Sequence, residues 1–170
     1  MKSKLLILSL LLFLGCEEKI TQPAVVKNIR LSLYLLNDTS ITASAVWVKP
    51  LDSLVLASKP FVTQNDISSY VWSTHTFAVQ PLLDIFIDQL ISSAERPGGV
   101  PFVVTVDGES IYLGAFWWGT SPIEPQGAYI DVTLASPYRI QFDSTALQPV
   151  DLRGDMRIHD ALKEAGILVE

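Results

Sequence analysis

Pro101-Phe102-Val103-Val104-Thr105-Val106-Asp107-Gly108-Glu109-Ser110-Ile111-Tyr112-Leu113-Gly114-Ala115-Phe116-Trp117-Trp118 sets two alternating β-branched and aromatic runs around an Asp-Gly pair. Asp-Gly between such runs is a strong hairpin signal, because a two-residue type I′ turn needs positive φ at both central positions. With Asp107 and Gly108 as that turn, Val106 faces Glu109, Val104 faces Ile111 and Phe102 faces Leu113. Phe102, Val104, Ile111 and Leu113 then share one face, directed at a core. Val103, Thr105, Ser110 and Tyr112 share the other. A three-residue loop with a glycine bulge is the alternative, and it slips the register by one residue.

Outward from the hairpin, the chain alternates between strand and helix patterns. Pro81 stands where a helix begins, and Leu82, Leu83, Phe86, Ile87, Leu90 and Ile91 fall on one side of it. Asp84, Asp88 and Ser92 fall on the other, as a solvated face. Val71–Val79 reads as one strand. Ile29, Leu31, Leu33 and Leu35 alternate with Arg30, Ser32 and Tyr34 as a half-buried strand. Ile41–Val48 reads equally as a short helix or a strand, and Asn65-Asp66 can start a turn over Ile67-Ser68-Ser69. Beyond the hairpin, 119–127 is a loop by composition, and Tyr129–Leu134 and Tyr138–Phe142 are strands. Asp155 caps a second helix that carries Ile158, Leu162 and Ala165 and ends at Gly166. The expected fold class is α+β: a mainly antiparallel sheet with a central β-hairpin (101–117) and two helices (about 81–93 and 156–165) packed on one side.

The 170 residues carry 12 Lys and Arg against 18 Asp and Glu, a net charge of −6. Loss of Lys2 and Lys4 with a leader leaves the remainder more acidic still. Such a chain without a basic run is a poor partner for nucleic acid or anionic headgroups. One cysteine excludes an intrachain disulfide and any cysteine-based metal cluster.

That cysteine follows a secretory pattern. Met1-Lys2-Ser3-Lys4 is a basic start, Leu5–Leu14 is an apolar run too short to span a bilayer, and Phe13-Leu14-Gly15-Cys16 gives way to Glu17-Glu18. The stretch resembles the lipobox of bacterial lipoproteins. The resemblance implies cleavage before Cys16 and lipidation of Cys16, with the membrane as a partner through that lipid. Glu17, in place of the aspartate associated with inner-membrane retention, points to the outer membrane. The implied division is a signal peptide (1–15), a lipidated cysteine and tether (16–24) and a single α+β domain (25–170).

Chemistry is sparse. His75 and His159 are the only histidines, and no Gly-x-Ser-x-Gly elbow, His-Glu-x-x-His, EF-hand loop or P-loop is present. No catalytic residue, metal ligand or cofactor is assigned. His75, on a strand face with Phe77 and Val79, reads as a structural histidine, and His159 as solvated. Arg153-Gly154-Asp155 matches an adhesion tripeptide, but Gly154 fits a turn, Asp155 a helix cap, and Arg153, Asp155 and Arg157 local ion pairs. Tyr112, Trp117 and Trp118 form the remaining signal, an aromatic strand end suited to a sugar ring or a partner's anchor. The loop 119–127 is expected to fold back over whichever tryptophan the core leaves out. The expectation is a lipid-anchored, non-enzymatic binding or accessory module whose partner is another envelope protein or a glycan. The alternatives are an envelope polymer hydrolase with His75 as general base and a protease-inhibitor-like module presenting loop 119–127.

Overall fold

The computed structural model describes residues 30–85, 87, 97–143 and 150–170. Cys16, the leader and the tether lie outside them, as do Phe86, Asp88, Leu90, Ile91 and Ser92 of the first expected helix. The described chain forms β1 (Leu31–Leu35), β2 (Val62–Thr63), β3 (Ile67–Val71), β4 (Thr76–Val79), β5 (Val100–Val106), β6 (Glu109–Trp117), β7 (Ala128–Asp131), β8 (Tyr138–Phe142) and β9 (Leu168–Val169). Residues 81–85 and 87 are helical (α1), and Met156–Glu164 form α2.

The strands make one sheet in the order β2-β1-β5-β6-β7-β8-β4-β3-β9. It is mixed, which corrects the expectation of a mainly antiparallel sheet: β6–β7 and β3–β9 are parallel. A parallel neighbour needs a long crossover to bring the chain back to the starting end. The loop 118–127 supplies it for β7, and α2 carries the chain to β9.

The sheet curls. Leu31 of β1 and Ile67 of β3, far apart in strand order, line one small apolar cavity of about 50 Å³ with Phe77, Tyr112, Ile130 and Ile158. Around it the concave face forms the main core, which Leu83 and Ile87 of α1 and Ile158, Ala161 and Leu162 of α2 close from above. Asp155 caps α2 by accepting from Arg157 N at 2.9 Å. Leu82 departs from the expected face of α1 and is 66% exposed. Asp84 departs the other way, accepting from the Tyr138 hydroxyl at 2.6 Å instead of facing water.

A second, smaller core lies on the convex face. There Leu36, Ala43, Val46 and Trp47 pack against Val103, Leu113, Ala115 and Trp117. The segment 36–57 that supplies the first four is irregular, with 3-10 turns at Ala43–Ala45 and Leu51–Ser53, and it resolves the ambiguity over Ile41–Val48. It is stitched down by Ala43 N to Gly99 O (3.1 Å) and Ser44 N to Gly98 O (3.0 Å). Covered on both faces, β5 is buried along its whole length, which accounts for a run of apolar residues without strict alternation.

The central hairpin forms about the expected turn. Asp107 and Gly108 have φ of +51° and +82°, as a type I′ turn requires, and Val106 pairs with Glu109. Two residues on, the register departs. Thr105 pairs with Ser110 but Val104 with Tyr112, so Ile111 is the extra residue of a β-bulge. Both Ile111 and Tyr112 thereby reach the main core, Leu113 turns to the convex core, and Phe102 lies opposite Gly114.

Candidate functional site

The three aromatic residues at the end of β6 do not share an exposed edge. Tyr112 is buried in the main core and Trp117 in the convex core, on opposite sides of the sheet. Trp118 is half-buried against the main core. Trp117 is covered by the 36–57 segment, and the ring packs where a side chain on Gly99 would stand. This corrects the expectation that loop 119–127 folds over the tryptophan left outside the core. Burial also pushes the Tyr112 hydroxyl well above the usual phenol range, so it stays protonated.

The histidines sit elsewhere than expected. Val71–Val79 is a hairpin, with β3 and β4 joined by the turn Trp72-Ser73-Thr74-His75. His75 closes it in a left-handed conformation, φ +53°, and its carbonyl accepts from Ile140 N of β8 at 2.9 Å. The turn has no glycine, proline or asparagine to mark it, and β3 takes the place of the turn expected over Ile67-Ser68-Ser69. Bending the chain there brings Tyr70 back onto His75, with the hydroxyl 3.0 Å from Nδ1.

Protonation follows from burial. Tyr70 is buried and its hydroxyl pKa is pushed well up, so it stays protonated and shares a hydrogen bond with Nδ1 whose direction is set by the imidazole tautomer. Burial first, and the Arg153 charge second, hold the imidazole below its ordinary range.

Asp151 is the carboxylate of this neighbourhood, and Arg153 occupies it. Arg153 donates through Nε and Nη2 to the two Asp151 oxygens at 2.9 and 2.6 Å, and through Nη1 to Ile140 O at 2.6 Å. The hydrogen bonds from Arg153 hold Asp151 below the usual carboxylate range. Arg153, 14% exposed, is thus turned inward and committed, which leaves the Arg153-Gly154-Asp155 tripeptide unlike a displayed adhesion motif. Arg157 pairs with Asp155 and reaches Glu109, so the expected local pairing holds with Asp151 as the partner that was missed.

His159 is held in the same aromatic cluster, not solvated. The ring stands edge-on to Trp72 at 5.0 Å, Nδ1 lies 3.2 Å from Asp160 and Nε2 3.4 Å from Glu170. Trp72 is flanked by both histidines. Chemically, the position where a catalytic triad places a carboxylate, on Nδ1 of the base, is taken in His75 by the Tyr70 hydroxyl. Among the described residues no serine or cysteine side chain is hydrogen-bonded to His75, and no group of three His, Cys, Asp or Glu side chains could hold a metal ion.

Among curated proteins, polyketide synthase GfsE of Streptomyces halstedii is 30% identical to this chain over 111 residues, which is 63% of this chain and 3% of that protein. The chain therefore corresponds to a very small part of that protein's length. No protein-family profile and no solved structure matches it.

Proposed function

We propose that the protein is a lipid-anchored module of the bacterial outer membrane that binds another envelope component without catalysing a reaction. The observation that carries the reading is the run Met1–Cys16, in which a basic start, a short apolar stretch and Gly15-Cys16 precede Glu17-Glu18. Stable attachment needs more than one acyl chain, at about 0.8 kcal/mol per buried methylene, and a diacyl- or triacyl-modified cysteine meets that requirement. Residues 17–29 separate Cys16 from Arg30, where the described domain begins. Among the described residues no helix is long and apolar enough to cross a membrane. The binding half of the reading draws on a domain in which the carboxylate nearest His75, Asp151, is already committed to Arg153.

Fractionation tests the anchor. Wild-type protein is expected in the membrane fraction and the Cys16→Ser protein in the soluble fraction. Membrane attachment of Cys16→Ser equal to wild type would refute the proposal. Protease treatment of intact cells then assigns the side: digestion places the domain outside, and protection until the outer membrane is opened places it in the periplasm.

A further inference from the structure

Alternate residues of β1 serve different faces. Leu31, Leu33 and Leu35 belong to the main core, whereas Ser32 and Tyr34, with Arg30 before them, line a groove of about 560 Å³ beside the hairpin turn. The 36–57 segment covers the convex face from Leu36 onward and leaves this end open. Pro60 and Asn65 bound the groove on one side, with Thr105 and Gly108 of the hairpin on the other. Its volume falls in the range of ligand sites, about 300–1,000 Å³.

Thr63 and Thr105 of the lining are engaged, with Asp66 and with Ser32 O, but other polar groups here are unspent. Among the described residues the side chains of Arg30, Ser32, Tyr34 and Asn65 make no hydrogen bond or ion pair, whereas Arg153 and Arg157 are both paired. Gln64 is fixed by accepting from Leu31 N at 3.0 Å, which keeps its amide nitrogen as a donor. Tyr34 and Pro60 add flat apolar surface beside these donors and acceptors. A ligand with polar edges and apolar faces satisfies both, and a sugar ring is that kind of ligand.

Charge narrows the class. The chain carries −6 overall, and Asp107 accepts from Arg30 N at 3.0 Å, next to the one charged side chain lining the groove among the described residues. A polyanion would be repelled, and a neutral ligand is not. We propose that the groove formed by Arg30, Ser32, Tyr34, Pro60 and Asn65 binds a neutral glycan. The inference rests on the binding-module reading and gives it a site and a ligand class.

The test titrates the full-length protein, in detergent micelles, with chitohexaose, cellohexaose and maltohexaose by calorimetry. At least one is expected to bind with Kd at or below about 1 mM, and Tyr34→Ala and Asn65→Ala each to weaken that binding about tenfold or more. Asn65 is exposed, so Asn65→Ala keeps the test intact even where Tyr34→Ala does not fold. No binding of any hexasaccharide by wild type overturns the inference, as does binding that folded Asn65→Ala retains in full. Membrane attachment measured on the same proteins separates the two readings. Attached wild type that binds no hexasaccharide sinks the groove alone, and soluble wild type that binds one sinks the anchor alone.

Discussion

Burial and the neighbouring Arg153 guanidinium hold the His75 imidazole below its ordinary range, so the folded protein resists taking up a proton there. The unfolded chain titrates near the ordinary histidine value, about 6.5. Between that value and the lower folded one, the unfolded state binds more protons, and stability rises with pH. The contribution of His75 is fully present above about pH 6.5 and is lost as pH falls through that window. Asp151 and Asp155, held down by hydrogen bonds from Arg153 and Arg157, act in a lower window: their contributions are present above the ordinary carboxylate value and lost as pH falls through the depressed ones. Asparagine tolerates the left-handed backbone of position 75, so His75→Asn removes the titration without a new backbone strain. In urea unfolding at about pH 7.5 and about pH 5, wild type is expected to lose more stability on acidification than His75→Asn. Equal losses in the two proteins would remove His75 from the account.

At the scale of elements, the Asp107-Gly108 turn and the two long strands were legible because turn chemistry and alternation are local. The bulge at Ile111 was not, because Ile111 and Tyr112 are both apolar and the pattern reads alike in either register. The deciding contact is across strands. In the unbulged register Phe102 would meet Leu113; with the bulge it meets Gly114, and its ring occupies the place of the missing side chain. Phe102 is fully buried there. Gly114→Ala is therefore expected to cost about 1–3 kcal/mol through overpacking. Combining it with Phe102→Leu, which shortens the side chain that reaches position 114, should recover at least about 0.5 kcal/mol relative to the sum of the two single changes. Strict additivity in denaturant unfolding would show that the ring and position 114 do not compete for space. The same reasoning covers the β3–β4 hairpin, whose sequence reads as one strand. His75 was visible as a candidate, but Tyr70 and Asp151 were not, because nothing in Trp72-Ser73-Thr74-His75 announces a turn.

Over the whole molecule, the two readings of function draw on different parts of the chain. The proposed anchor rests on a contiguous stretch ending at Cys16, whereas the groove joins Arg30 and Tyr34 to Asn65 and Thr105, which only the sheet brings together. The sheet itself is unevenly built. From β2 to β8 the strands are joined through the long β5–β6 pairing, but β4 meets β8 through two residue pairs, Thr76 with Arg139 and Phe77 with Tyr138. That junction is reinforced by the Phe77–Tyr138 ring contact at 5.8 Å and by the bond from Ile140 N to His75 O. Beyond it lie β3, β4 and β9, of which β9 pairs over two residues only. A unit joined so narrowly should open without unfolding the rest, because sub-global opening follows the weakest set of shared contacts. Native-state hydrogen exchange is expected to give the β3, β4 and β9 amides a common opening free energy below that of β5 and β6. Phe77→Ala, which removes the β4 ring at the junction, should lower that opening free energy more than it lowers the β5–β6 value. A single opening free energy across all the described strands, shifted equally by Phe77→Ala, would mean that the concave core couples the two parts more tightly than their strand pairing does.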